Sequence, residues 1–131
     1  MERVIANRGV ARTVAYALLK SGESPGADFY GGLSKGDKVK LDHSFRLMGD
    51  RGRIDNPEKF GRLAPNLFEF KEHQIRMPCA WDEQERGVLV ITHGFIKKRD
   101  RVRREEIKRA RRILGEDQER AELQLAKGKT P

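Results

Sequence analysis

Three kinds of residue in this chain could act on a charged substrate. The first is a run of cations. Residues 96–112 hold ten Lys/Arg and three Asp/Glu, so this short stretch carries 10 − 3 = +7. Such a patch suits a polyanion, although a solvated helix face has the same composition. The second is the pair Lys71 and Arg76 in an alternating stretch. Arginine can grip two phosphate oxygens at once. The plainer readings are a cross-strand pair of Arg76 with Glu69 and a solvated Lys71. The third is His93, because imidazole titrates near neutral pH and can move a proton. Alternation groups it with Leu89 and Ile91, where a lone histidine is more often a packed core residue. His73 falls in a turn and His43 on a helix remote from these positions, and neither is given a role. No His, Cys or Asp cluster has metal-ligand spacing, so no metal or other cofactor is expected.

The stretch that must position these groups is Leu67 to Lys98. LFEFK and QIRMPCAW alternate as the two strands of an antiparallel hairpin. With Glu72 and His73 as the turn, Lys71 would face Gln74, Phe70 would face Ile75, and Glu69 would face Arg76. One face then collects Phe68, Phe70, Ile75, Met77 and Cys79, and the other collects Lys71 and Arg76. GVLVITHGF is apolar on both faces, which predicts a central strand covered on both sides. Residues 101–114 follow as a basic helix with the apolar stripe Ile107, Ala110 and Leu114. Gly115 ends or kinks it, and the remainder to residue 131 is a frayed helical extension.

Upstream, residues 1–10 read as a flexible lead-in and 11–19 as a first strand. Ser24-Pro25 opens a short helix, with Ser24 as the acceptor for a first-turn amide. A second helix starts at Asp37 as N-cap, carries Leu41, Phe45 and Met48 on one stripe, and stops at Gly49 or Gly52. Residues 57–66 are a linker. The chain of 131 residues has 37% hydrophobic and 37% charged residues and a net charge of +8. This is one domain with a modest core. One cysteine permits no intrachain disulfide and fits a reducing cytoplasm. No run is long and apolar enough for a membrane span, and no signal-peptide pattern opens the chain.

In order along the chain stand Leu67-Phe68-Glu69-Phe70-Lys71, Ile75-Arg76-Met77, His93-Gly94-Phe95-Ile96-Lys97-Lys98 and Glu106-Ile107-Lys108-Arg109-Ala110. This ordered set resembles the RelE/HigB toxins of type II toxin–antitoxin systems, on their phage-derived, host-inhibition-like branch. The resemblance spans residues 11–114. It implies an α+β fold of the RelE-like microbial ribonuclease kind. The expected architecture is two N-terminal helices, an antiparallel sheet of about four strands and a C-terminal basic helix.

It further implies a metal-independent endoribonuclease that cleaves messenger RNA, free or on the ribosome, and a helix-turn-helix antitoxin as partner. Carried over by motif, the catalytic set is Lys71, Arg76, His93 and Lys97. Lys98, Arg99, Arg101, Arg103 and Arg104 would bind the RNA backbone. Many relatives add a tyrosine near the C-terminus, and this chain has none beyond Tyr30. A non-catalytic nucleic-acid-binding or protein-interaction module of the same fold is the competing reading. A regulator role fits poorly, since no helix-turn-helix pair precedes the basic helix.

Overall fold

The computed structural model describes residues 1–98 and 102–128. The chain opens on two strands, β1 (Val4–Arg8) and β2 (Thr13–Tyr16), before helices α1 (Pro25–Gly31) and α2 (Lys35–Arg51). Strands β3 (Phe60–Ala64), β4 (Leu67–Glu72), β5 (Ile75–Trp81), β6 (Val88–Ile91) and β7 (Phe95–Ile96) follow. Helix α3 (Val102–Gly128) closes the fold. The seven strands form one sheet in the order β1-β2-β6-β5-β4-β3, with β7 paired to β5 beside β6. The sheet is mixed, because β2 and β6 run parallel while the other pairs are antiparallel.

The expected four-stranded antiparallel sheet behind two N-terminal helices is therefore incorrect. Three short strands account for the difference. β1 lies in the stretch read as a lead-in, β3 lies in the stretch read as a linker, and β7 has two residues. None is long enough to show a period of its own. Parallel pairing of β2 follows from the excursion through α1 and α2, which returns the chain to the far side of the sheet.

Both sheet faces are covered. Val14, Tyr16, Phe70, Ile75, Met77, Cys79, Leu89 and Ile91 meet Leu41, Phe45 and Met48 of α2 in the main core. Phe45 sits edge-on to Phe70 with ring centroids 5.0 Å apart. On the other face, Ala15, Ala17, Val88 and Val90 pack on Ile113, and Leu63, Leu67 and Ala80 on Ala110. β6 lies mid-sheet and is buried throughout, as its apolar run predicts.

Local chemistry sets the ends of the helices. Ser34, not Asp37, caps α2, its hydroxyl accepting from the Asp37 amide at 3.2 Å. Gly52 stops α2 in the left-handed conformation, φ 77°. The Ser24 hydroxyl does not cap α1 but donates to the Ala17 carbonyl at 3.0 Å. Helix α3 passes through Gly115 without ending. Its second half is held by Asp117, whose carboxylate accepts from Arg3 (Nη2, 2.6 Å), the Leu18 amide (2.9 Å) and Arg120 (3.2 Å). Burial pushes the Asp117 carboxyl up, but these donors, led by Arg3, hold it below the usual carboxylate range.

Phe70 is fully buried between Phe45 and Phe60, so Phe70→Ala should cost about 3–5 kcal/mol. Lys71 points to the opposite face and donates to the Pro57 carbonyl at an exposed site, so Lys71→Ala should cost below about 1 kcal/mol. Urea unfolding of the two variants checks the facing; equal losses would contradict it.

Candidate functional site

The β4–β5 hairpin puts its apolar side inward as expected, but its register differs by two residues. Lys71 pairs with Arg76, Phe70 with Met77, Glu69 with Pro78, and Glu72 with Ile75. The turn is His73-Gln74, with His73 at φ 52°. A slip of two keeps every side chain on its face. It changes who is opposite whom: Arg76 lies across from Lys71, and Glu69 across from Pro78.

Strand β7 extends the row. Arg76 pairs with Phe95, so Lys71, Arg76 and Phe95 stand side by side on three adjacent strands. Directly opposed residues have Cβ atoms about 5 Å apart. The row occupies the face that carries α3, beyond the apolar patch that α3 covers. Arg76 donates through Nη1 to the carbonyls of His73 (2.7 Å) and Ile75 (2.8 Å), which pins its guanidinium at the hairpin tip. Both cations are half-buried. Lys97 follows, and its amide donates to the Gln74 carbonyl at 2.7 Å.

His93 is placed differently from the alternation argument. β5 pairs Cys79 with Ile91 and Arg76 with Phe95. Three steps from 79 to 76 are thus matched by four from 91 to 95, which is one extra residue. Pro78 sits opposite the break. It has no amide to donate, and its carbonyl accepts from the Thr92 amide at 2.9 Å. The extra residue turns His93 away from Leu89 and Ile91 and onto α3. Its Nε2 lies 2.6 Å from Glu106 Oε2 and its Nδ1 lies 2.8 Å from Thr92 Oγ1.

The imidazole is 0% exposed, and both nitrogens are occupied. In the neutral form Nε2–H donates to the Glu106 carboxylate and Nδ1 accepts from the Thr92 hydroxyl. Burial lowers the His93 pKa, and Arg109 and Arg112 add to this, against the raising effect of Glu106.

Helix α3 contributes Arg103, half-exposed, whose Nη2 reaches the buried Glu69 carboxylate at 3.3 Å. Lys98 and Arg104 are exposed. Arg99 and Arg101 lie outside the described residues. The structure thus brings Lys71 and Arg76 together, sets Lys97 beside their hairpin, and buries His93 behind them. Three residues that the sequence analysis left outside the candidate site have a place beside it. Glu69 anchors the first turns of α3. Phe95 completes the row. His73 is exposed at the hairpin tip, with Nε2 3.1 Å from Lys40 Nζ and 3.7 Å from Glu72 Oε1. The only signal for Phe95 was its place in the His-Gly-Phe motif. Among the described residues, no group of three His, Cys, Asp or Glu could hold a metal ion, and no helix is long and apolar enough to cross a membrane.

A model of the family described as "Phage derived protein Gp49-like (DUF891)" matches residues 28–114, more than half of the chain. The chain belongs to this Gp49-like family. Comparison with curated proteins gives no match. The Gp49-like family is toxin-like and of the RelE/HigB type, in agreement with the motifs above. The Gp49-like match runs from α1 to the middle of α3, so it contains every residue of the Lys71–Arg76–Phe95 row and the His93–Glu106 pair. It leaves out β1 and β2.

Two outcomes follow from this geometry. A Cβ on Gly94 would stand 2.0 Å from the Phe29 ring. Gly94→Ala should therefore destabilise by about 1–3 kcal/mol, as overpacking does, and Phe29→Ala should reduce that cost in a double-mutant cycle. The second concerns pH. A buried histidine with a lowered pKa binds fewer protons folded than unfolded. Its contribution is complete above the unfolded pKa of about 6.5 and falls away as pH drops below it. The facing groups are Glu106, Arg109 and Arg112. Denaturation midpoints from pH 8 to 5 should decline below about 6.5, and His93→Gln should flatten that decline.

Proposed function

We propose that this Gp49-like chain is the toxin of a type II toxin–antitoxin pair and an endoribonuclease acting on messenger RNA. The observation that carries the reading is the row of Lys71 and Arg76 on an otherwise apolar scaffold, bordered by the cationic first turns of α3. Two cations set side by side by β-pairing can bind one phosphodiester and stabilise the charge that grows on it during cleavage. Family membership supplies the toxin context.

In this mechanism the RNA's own 2′-hydroxyl attacks the adjacent phosphorus. The bond to the 5′-oxygen breaks, leaving a 2′,3′-cyclic phosphate. Arg76 and Lys71 hold the non-bridging oxygens, and Lys97 and Lys98 with Arg103 and Arg104 track the backbone. Proton transfer needs an exposed group. His93 is enclosed, so its part is to position Phe95 and the start of α3. His73, the exposed imidazole at the hairpin tip, has its Nε2 on Lys40 of α2, across the sheet from Lys71 and Arg76, so we assign proton movement to the lysines of the carried-over set. The antitoxin would cover this cationic face with an acidic or amphipathic segment and block it.

The enclosure of His93 also favours the second reading, a non-catalytic RNA-binding module on the same fold. One assay separates the two. Messenger RNA is incubated with the protein alone in excess EDTA, and separately with translating ribosomes in magnesium buffer, beside RNA with a 2′-deoxy substitution at the cut site. The catalytic reading expects cleavage in EDTA, none at the 2′-deoxy site, and about a 100-fold rate loss in Arg76→Ala with little loss of stability. Binding without cleavage under all conditions establishes the second reading. Failure of an adjacent helix-turn-helix protein to co-purify removes the antitoxin claim.

A further inference from the structure

We propose that Phe95 is a seat for one nucleobase of the bound RNA strand, next to the Arg76 that holds the adjoining phosphate. This rests on the nucleic-acid reading above and adds to it a base subsite.

Four observations carry it. First, Phe95 is the direct cross-strand neighbour of Arg76, which neighbours Lys71. An aromatic ring and two phosphate-binding cations are thus about one nucleotide apart. Second, Gly94 is pressed against the Phe29 ring on the α1 side. The next residue along an extended strand points the other way, so the ring of Phe95 projects onto the face that carries α3. Third, Phe95 is half-buried yet packs with none of the three apolar clusters. Its ring partner is His93, stacked at 5.8 Å between centroids and 25° between planes.

Fourth, that backing is rigid. His93 is enclosed and tied at both nitrogens to Thr92 and Glu106. A phenylalanine serving only the core would be covered on both sides. This one is stacked on a locked imidazole, keeps part of its surface accessible among the described residues, and pairs across the strands with Arg76. A base laid there would stack on the ring, and its 3′ or 5′ phosphate would meet Arg76. Stacking of this kind accepts every base, so the subsite fixes the strand's position more than its sequence.

The test uses the full chain and a short single-stranded oligoribonucleotide with 2′-O-methyl groups, which cannot be cleaved through the 2′-hydroxyl. 2-Aminopurine is placed at each position in turn, and an abasic residue likewise. With wild type, one position should show quenched 2-aminopurine fluorescence, and an abasic residue there should weaken binding about tenfold. Phe95→Leu, which keeps an apolar side chain of similar size, should lose the quenching and bind the intact strand about tenfold more weakly. It should no longer discriminate against the abasic strand. Phe95→Trp should retain both effects. Thermal melts confirm that each variant is folded. An abasic loss of the same size in wild type and Phe95→Leu overturns the base seat and leaves the phosphate site standing. A wild-type chain that binds no oligonucleotide overturns the base seat and the RNA reading together.

Discussion

The extra residue between Ile91 and Phe95 is the feature on which the site depends. In an uninterrupted strand His93 would enter the main core beside Leu89 and Ile91, and an imidazole there would need two polar partners that this core lacks. The extra residue puts Thr92 and His93 on one face, where Nδ1 of the imidazole meets the Thr92 hydroxyl and Nε2 meets Glu106. Proline is tolerated mid-sheet at residue 78 for the same reason. The amide it lacks would have pointed at the place where the neighbouring strand breaks. Gly94 then lies against Phe29 and Phe95 falls in line with Arg76. One backbone irregularity thus sets four consecutive residues: Thr92 and His93 towards α3, Gly94 against Phe29 on the opposite side, and Phe95 in the row.

Helix α3 is attached by charge as much as by apolar area. Three buried or nearly buried carboxylates sit where it meets the rest of the fold: Glu69 on β4, and Glu106 and Asp117 on the helix itself. Each meets a cation or an imidazole: Arg103, His93, and Arg3 with Arg120. A buried pair gains little net free energy over a well-packed apolar pair of the same volume, while breaking one costs about 3–5 kcal/mol. Such pairs therefore select among alternatives more than they stabilise. The apolar stripe of Ala110 and Ile113 would permit α3 to slide along the sheet. The three pairs reject that slide, because each would leave a carboxylate in an apolar place. The position of α3 matters to the site, since its first turns form one wall of the Lys71–Arg76–Phe95 row.

The hairpin face was legible because period-two alternation survives any even slip of register: Phe70, Ile75, Met77 and Cys79 are inside, and Lys71 and Arg76 are on the other face. The register itself was not legible. His73 takes a left-handed conformation that glycine or asparagine would normally announce, so the turn looked one residue earlier than it is. The apolar stripe of α2 was legible, but its start was misplaced because Ser34 and Asp37 are both good caps and only one can serve. Short strands β1, β3 and β7 left no period to read. The face of His93 could not be read at all, because an inserted residue inverts the parity on which the argument rests.

The remaining question is why a polar row survives on a face otherwise used for packing. Apolar residues on that face run from β2 through β6 and β5 to β3 and are consumed by the middle of α3. At the hairpin tip Lys71 and Arg76 are served by backbone carbonyls of Pro57, His73 and Ile75. A carbonyl satisfies one donor without cancelling the charge. A carboxylate in the same place would neutralise the cation, as Glu72 does for Lys59. Arginine has five donors and lysine three, so both residues are positioned and still carry positive charge with donors to spare. Carbonyl anchoring thus orients two cations without neutralising them, and an arrangement of that kind is suited to an anion that arrives from solution.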